Sequence, residues 1–312
     1  MLYYISNSHD PYHHQALEEV LFHRPTSDDI YLLWINDPAI VFGSYQNPFK
    51  EINFDFAWEN NVPIIRRISG GGTVYHDHGN INYSVIKNEN PEKMDYKVVM
   101  GPMVKALQSL GYPVDHRNSC DIYLGDWKIS GNAQKMSKGR LLHHGTLLYD
   151  SDLDQLKQSG SKKQDQIESK GIPSRPAHVG NLRGYYGGWP TARAFMEALA
   201  QAWIPAEAEL LALTAEEEAE VDRLTREKYR DAVWTYGKAP AHTYHSCFSW
   251  NGADVEVDYS AKNGQIVEGQ ICKDGKILEE ASLALTGMAL NKAALTDYCS
   301  SYFDASLLYE FI

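Results

Sequence analysis

The densest run of chemistry-bearing residues is Arg66-Arg67-Ile68-Ser69-Gly70-Gly71-Gly72-Thr73-Val74-Tyr75-His76-Asp77. Three successive glycines directly after an apolar strand can adopt positive φ and admit a ligand against the backbone. Their amides can form an anion-binding nest, to which Arg67 can add a planar cationic fork. A tight glycine turn beside a surface arginine pair fits the same residues, so the run alone leaves both readings open. It holds no G-x-x-x-x-G-K-[ST] pattern and no G-x-G-x-x-G opening a helix, which excludes a Walker loop and a Rossmann fingerprint. The residues after the glycines read as strand. An adenylate lying on a sheet suits that arrangement better than a dinucleotide at a helix N-terminus.

A second segment, Asp126-Trp127-Lys128-Ile129-Ser130-Gly131-Asn132-Ala133-Gln134, starts a strand with a lysine and follows it with small residues that leave room beside it. An amine held there can neutralise a carboxylate and a phosphate together; an exposed hairpin lysine is the commoner alternative. In the third, His143-His144-Gly145-Thr146-Leu147-Leu148, two imidazoles and a glycine interrupt an apolar strand, which points to a close backbone approach or to a bulge with one satisfied histidine. His76-Asp77-His78 offers two imidazoles but no third ligand, so a hydrogen-bonded turn is preferred to a metal site there, and metal ligands stay unassigned.

The elements that must position these groups are legible in part. Asp10 and Pro11 open a helix whose stripe includes Ala16, Leu17, Val20 and Leu21. Apolar strands are expected within Ile30 to Phe42 and from Val62 to Ile68, and an alternating, half-buried strand over Ile81 to Ile86. Met100, Val104, Leu107 and Leu110 form a helical stripe ending at Gly111. Asp121 to Leu124 turns through Gly125-Asp126 into the Lys128 strand, with Leu141 to Tyr149 nearby. Helices are expected over Thr191 to Trp203 and Glu216 to Tyr229. The polar stretch Gln155 to Lys170 reads as a mobile loop or exposed helix, a candidate lid. A hairpin around Asn263-Gly264 and two helices make a small C-terminal unit.

Composition sets the class. The chain has 312 residues, 43% hydrophobic and 22% charged, which argues for a globular protein of two domains. The net charge of −12 speaks against nucleic acid as a partner. No apolar run suits a membrane helix, and the first residues lack the pattern of a secretory signal, so a cytoplasmic protein is expected. The four cysteines (Cys120, Cys247, Cys272, Cys299) lie far apart and form no C-x-x-C pair.

Together the segments resemble the lipoate–protein ligase A family: Arg-Arg-x-x-Gly-Gly-Gly-x-Val-x-His-Asp-x-x-Asn at 66–80, Lys-Ile-Ser-Gly-x-Ala at 128–133, His-His-Gly-Thr-Leu-Leu at 143–148, Lys-Gly-Ile-x-Ser at 170–174 and Trp-x-Tyr-Gly-x-Ala-Pro at 234–240. The resemblance implies an α+β protein, with a catalytic domain like class II aminoacyl-tRNA synthetases and biotin protein ligases over 1–244 and a small α+β accessory domain over 245–312. It implies ATP-dependent ligation of lipoate through lipoyl-AMP, with ATP, Mg²⁺ and lipoate bound. The acceptors implied are lipoyl domains of 2-oxoacid dehydrogenase E2 subunits and the glycine-cleavage H protein, served by a monomer.

By position in the family motifs, Lys128 is the catalytic cation and touches both substrates. Arg67, Gly72, Thr73, Val74, Tyr75 and Asp121 fall where ATP or the adenylate binds. Ser69, Gly70, Gly71, His76, Asn80 and Thr146 fall along the lipoyl tunnel. His78 and Asn132 depart from the pattern, replacing an apolar residue and a serine. Two rivals are an ATP-independent octanoyltransferase using Cys120 as nucleophile and a non-catalytic binder of lipoate or lipoyl domains; retention of Lys128 argues against the binder.

Overall fold

The structure, a computed structural model, describes residues 1–88, 95–118 and 120–312. It divides into two compact units, each assembled from three stretches of chain. The first comprises Met1–Ser44, Ile65–Lys157 and Arg175–Arg230; the second comprises Tyr45–Ile64, Gln158–Ser174 and Asp231–Ile312. A single cut between 244 and 245 does not describe this division, because segments from the middle of the chain supply parts of the second unit.

The first unit is built on an eight-stranded sheet in the order Glu209–Leu210, Leu2–Ile5, Ile30–Ile35, Asn80–Lys87, Arg140–Leu148, Trp127–Ser137, Asp121–Leu124, Val114–Arg117. Leu2–Ile5 pairs in parallel with both its neighbours, and the remaining pairs are antiparallel. Helices Tyr96–Ser109 and Ala192–Trp203 bury Met100, Met103, Leu107, Phe195 and Leu199 in one core with Ile81, Tyr83 and Val85. The helical stripe expected from Met100 is present, but Met103 and Ala106 are buried while Val104 and Leu110 are only partly so. Gly111 follows the helix with φ +93°, as its position predicts.

Helix Pro11–His23 begins at Asp10, whose carboxylate accepts the amides of Tyr12 and His13. Because this helix sends Glu18 to Ser84, Asn80–Lys87 is buried almost throughout and not half-buried as its alternation suggested. Ile30–Ile35 and Ala39–Phe42, close in sequence, enter different sheets. Ala39–Phe42 lies between Ile64–Arg66 and Val74–His76, so the glycine run bridges two strands of a small separate sheet.

The second unit has an antiparallel five-stranded sheet, Ile167–Ser169, His242–Trp250, Ala253–Lys262, Gln265–Lys273, Lys276–Ile277. Asn251-Gly252, Asn263-Gly264 and Asp274-Gly275 take positive φ at both residues, the backbone of tight hairpin turns. The 155–170 stretch is ordered into helix Leu153–Ser159, a 3₁₀ turn and strand Ile167–Ser169. Ile167 is buried and opposite Tyr244, which gives a largely polar segment a buried apolar anchor. Within this unit Phe49 stacks on Phe54 and His242, and Lys50 donates to the Ile167 carbonyl.

Candidate active site

The glycine run folds around Arg67. Its Nε donates to Ser69 Oγ at 3.0 Å and Gly70 O at 3.1 Å; one terminal nitrogen donates to Gly70 O at 2.6 Å and Gly72 O at 2.7 Å, the other to Val41 O at 3.2 Å. The guanidinium is thus spent on the loop's own carbonyls, and burial lowers its pKa to about 10. Turning the carbonyls of Gly70 and Gly72 inward frees the amides. Among the described residues none of the amides of Gly70, Gly71 and Gly72 donates a hydrogen bond within the chain. Gly71 is exposed with φ +89°, and a Cβ there would lie 2.7 Å from the Arg67 guanidinium and 3.0 Å from Ala133. The loop therefore rests against the Lys128 strand with unpaired donors, a geometry suited to anions.

Lys128 Nζ lies 2.8 Å from Asp121 Oδ1, with the two side chains 21% and 13% exposed. A bulge brings them to one face. Asp121 pairs with Gly131 and Ile122 with Ser130, but Tyr123 then pairs with Lys128, so Ile129 is the extra residue. Regular pairing would place Lys128 on the opposite face; one inserted residue re-aims it. Its backbone is fixed from the other edge, where its amide donates to His178 O and its carbonyl accepts from Gly180. Gly131 leaves the amine room, since a Cβ there would stand 3.2 Å from Lys128 Cε and Nζ. Thr146 Oγ1 accepts the Gly131 amide at 3.4 Å, which joins Thr146 to this group.

The histidine strand is satisfied internally. His143 Nδ1 meets Gln134 at 3.1 Å and its Nε2 meets Asn132 Oδ1 at 3.1 Å; burial lowers its pKa to about 3. Gly145 is required by close approach, because a Cβ there would sit 2.1 Å from Asn132 Oδ1. Asn132 also accepts the Tyr83 hydroxyl and donates to Cys120 O and Ser130 Oγ. The asparagine that departs from the family pattern is thus a hydrogen-bond hub.

His144 leads to a residue that the sequence reading missed. Its Nε2 lies 2.6 Å from Ser69 Oγ and its Nδ1 lies 2.9 Å from both oxygens of Glu18, whose carboxylate is fully buried and also accepts Ser84 Oγ. Glu18, His144 and Ser69 thereby tie the first helix to the start of the glycine run. The available signal was a carboxylate between Leu17 and Val20 on the apolar face of that helix.

His76 is buried and accepts from Asn36 Nδ2 at 2.8 Å, in a chain that continues through His14 to Ser6. Burial, then Arg67, lowers the His76 pKa to about 3. The Tyr75 hydroxyl donates to Gln155 at 2.6 Å, and burial pushes its pKa up to about 12. Thr73 and Val74 are half-buried at the loop's exit. Asn80 is fully buried; its Nδ2 donates to Asn82 while its Oδ1 has no hydrogen-bond partner among the described residues. Cys120 is half-buried, its thiol pushed up by burial and by Asp121, the reverse of what a nucleophilic thiolate requires.

The chain is similar to known proteins over most of its length. The sequence model of the lipoyl protein ligase A/B catalytic domain matches residues 10–204. Lipoate–protein ligase 1 of Staphylococcus aureus is 34% identical over 276 residues, covering 87% of this chain and 84% of that protein. Lipoate-protein ligase LplJ of Bacillus subtilis is 31% identical over 305 residues, covering 93% and 91%. The chain belongs to the lipoate–protein ligase family.

Solved structures share the fold. The LipL1 protein of P. falciparum, in complex with lipoate, superposes with TM-score 0.61 at 20% identity, covering 99% of this chain and 97% of that one. A lipoate-protein ligase A bound with ATP gives 0.59 at 23%, covering 75% and 96%. A bipartite ligase with its E2 lipoyl domain from Thermoplasma acidophilum gives 0.60 at 22%, covering 75% and 94%. The fold is α+β and is shared with these lipoate–protein ligases, and the protein is an enzyme.

Proposed function

We propose that the protein joins lipoate to a lysine of an acceptor protein in two steps through lipoyl-AMP. The lipoate carboxylate attacks the α-phosphorus of ATP and pyrophosphate leaves. The acceptor amine then attacks the carbonyl of the mixed anhydride, AMP leaves, and the amine loses a proton as the amide forms. Both reactants of the first step are anions, so the site must place positive charge and donors where the charges meet. The observation that carries this reading is the pairing of unbonded glycine amides with the Lys128 amine on the strand beside them.

In this reading Lys128 leaves Asp121 to bridge the carboxyl and the α-phosphate, and later polarises the same carbonyl. Gly72, Thr73, Val74 and Tyr75 line the nucleotide; Arg67 acts by holding the amides of the glycine run outward. Ser69, Gly70, Gly71, His76 and Asn80 line the lipoyl tunnel, and Thr146 supports the floor beneath Lys128. Mg²⁺ supplies charge neutralisation on the phosphates. Asp121 would hold it, since one carboxylate with phosphate oxygens and water suits that ion.

The acceptors proposed are E2 lipoyl domains and the glycine-cleavage H protein, modified by a monomer in the cytoplasm. No helix among the described residues is long and apolar enough to cross a membrane, consistent with that setting. The raised Cys120 pKa disfavours the octanoyltransferase alternative. The test is lipoate-dependent exchange of pyrophosphate into ATP: exchange is expected, with loss in Lys128→Ala. Absence of exchange in the native protein, or full exchange in the variant, would sink the reading.

A further inference from the structure

We propose that His9, Asp37 and His78 form a surface site for Zn²⁺ or a chemically similar divalent transition metal. Each offers one ligand atom, and these atoms lie within 4.8 Å of one another. His78 Nε2 stands 2.7 Å from Asp37 Oδ1, and the His9 and His78 rings meet edge to face at 5.4 Å. Two imidazoles and a carboxylate are the donor set of Zn²⁺ sites that keep a position for water, whereas Mg²⁺ and Ca²⁺ take oxygen ligands.

The backbone holds these three side chains together even though they come from distant points in the sequence. The Asp37 amide donates to His9 O at 2.8 Å. Each ligand also adjoins an anchored residue. Asp10, after His9, caps the first helix. Asn36, before Asp37, is fully buried between His14 and His76. Asp77, before His78, accepts the amides of Gly79 and Asp152. Anchors of this kind lower the ordering cost of binding.

The site answers a question left by the spacing of His76 and His78. Those two do not converge, because His76 turns into the core while His78 turns outward to partners from two other loops. His78 is also the residue that replaces an apolar one in the family pattern. The bound ion would fasten the start of the first helix, the turn after Ile30–Ile35 and the turn after Val74–His76.

The test is calorimetric titration of the metal-stripped full-length protein with ZnCl₂, alongside His9→Asn, His78→Asn and His245→Asn variants. The last removes the exposed His245, which lies 3.4 Å from Cys247 on the second unit and could bind Zn²⁺ independently. One tight equivalent is expected, weakened at least 100-fold in the first two variants, unchanged in the third and not displaced by excess Mg²⁺. Cobalt substituted for zinc should lack the charge-transfer absorption of a thiolate ligand. Absence of stoichiometric binding, or binding that survives His78→Asn or disappears in His245→Asn, would overturn the proposal. Circular dichroism of each variant separates loss of the site from loss of the fold.

Discussion

Two cations belong to the proposed site, and their surroundings differ. Arg67 is sealed inside the glycine loop, with its nitrogens given to Ser69, Gly70, Gly72 and Val41. Lys128 stands partly exposed with Asp121 as its ion-pair partner and open space over Gly131. A charge whose donors are all committed can shape a binding surface but cannot follow a reacting group. A charge held by one carboxylate can exchange that partner for a substrate. Type and motif position made both residues candidates; only the hydrogen bonds assign them different work.

The strongest test of this contrast is Lys128→Ala. Removing a group that stabilises developing charge should lower the adenylation rate by about 10³-fold, roughly 4 kcal/mol, with the melting temperature nearly unchanged. Arg67→Ala should behave in the opposite manner. It leaves several inward carbonyls without donors, so a stability loss of about 3 kcal/mol is expected in denaturant titration, with activity falling because the loop collapses. If Arg67→Ala kept full stability and lost only activity, the assignment of roles would be reversed.

A smaller effect comes from acid. The folded-state pKa of His143 lies near 3 and that of His14 near 4, both below the ordinary imidazole value because of burial. The unfolded chain therefore binds protons first. Stability is fully present above about pH 6.5 and declines as pH falls through that value toward 4, measurable as a falling melting temperature. Smallest of all, Cys120→Ser should change the rate by less than about threefold, since the thiol is protonated and its backbone carbonyl, not its sulfur, holds Asn132. A large loss would revive the thioester mechanism.

Local chemistry was the legible part of this molecule. Asp10 before Pro11, Gly111 after a helix and Asn263-Gly264 between strands each act through their immediate neighbours, and all behave as their types predict. What escaped the sequence depends on pairing between distant segments. Glu18 gains meaning only when the first helix lies on Ser84 and His144. The register at Ile129, which decides the face on which Lys128 appears, is a property of two strands together. Ile167 reads as one apolar residue in a polar stretch until the strand at Tyr244 is placed beside it.

The interleaving of the two units has a consequence for synthesis. The eight-stranded sheet draws its strands from three separate stretches and the five-stranded sheet from two, so Ile167–Ser169 waits for a neighbour made some seventy residues later. Such a chain gains little from folding one half first, and its early intermediates carry unpaired strand edges. Shortening the gene after codon 244 should therefore yield an insoluble fragment and not a trimmed enzyme, and expression at low temperature or with chaperones should help the full-length product most.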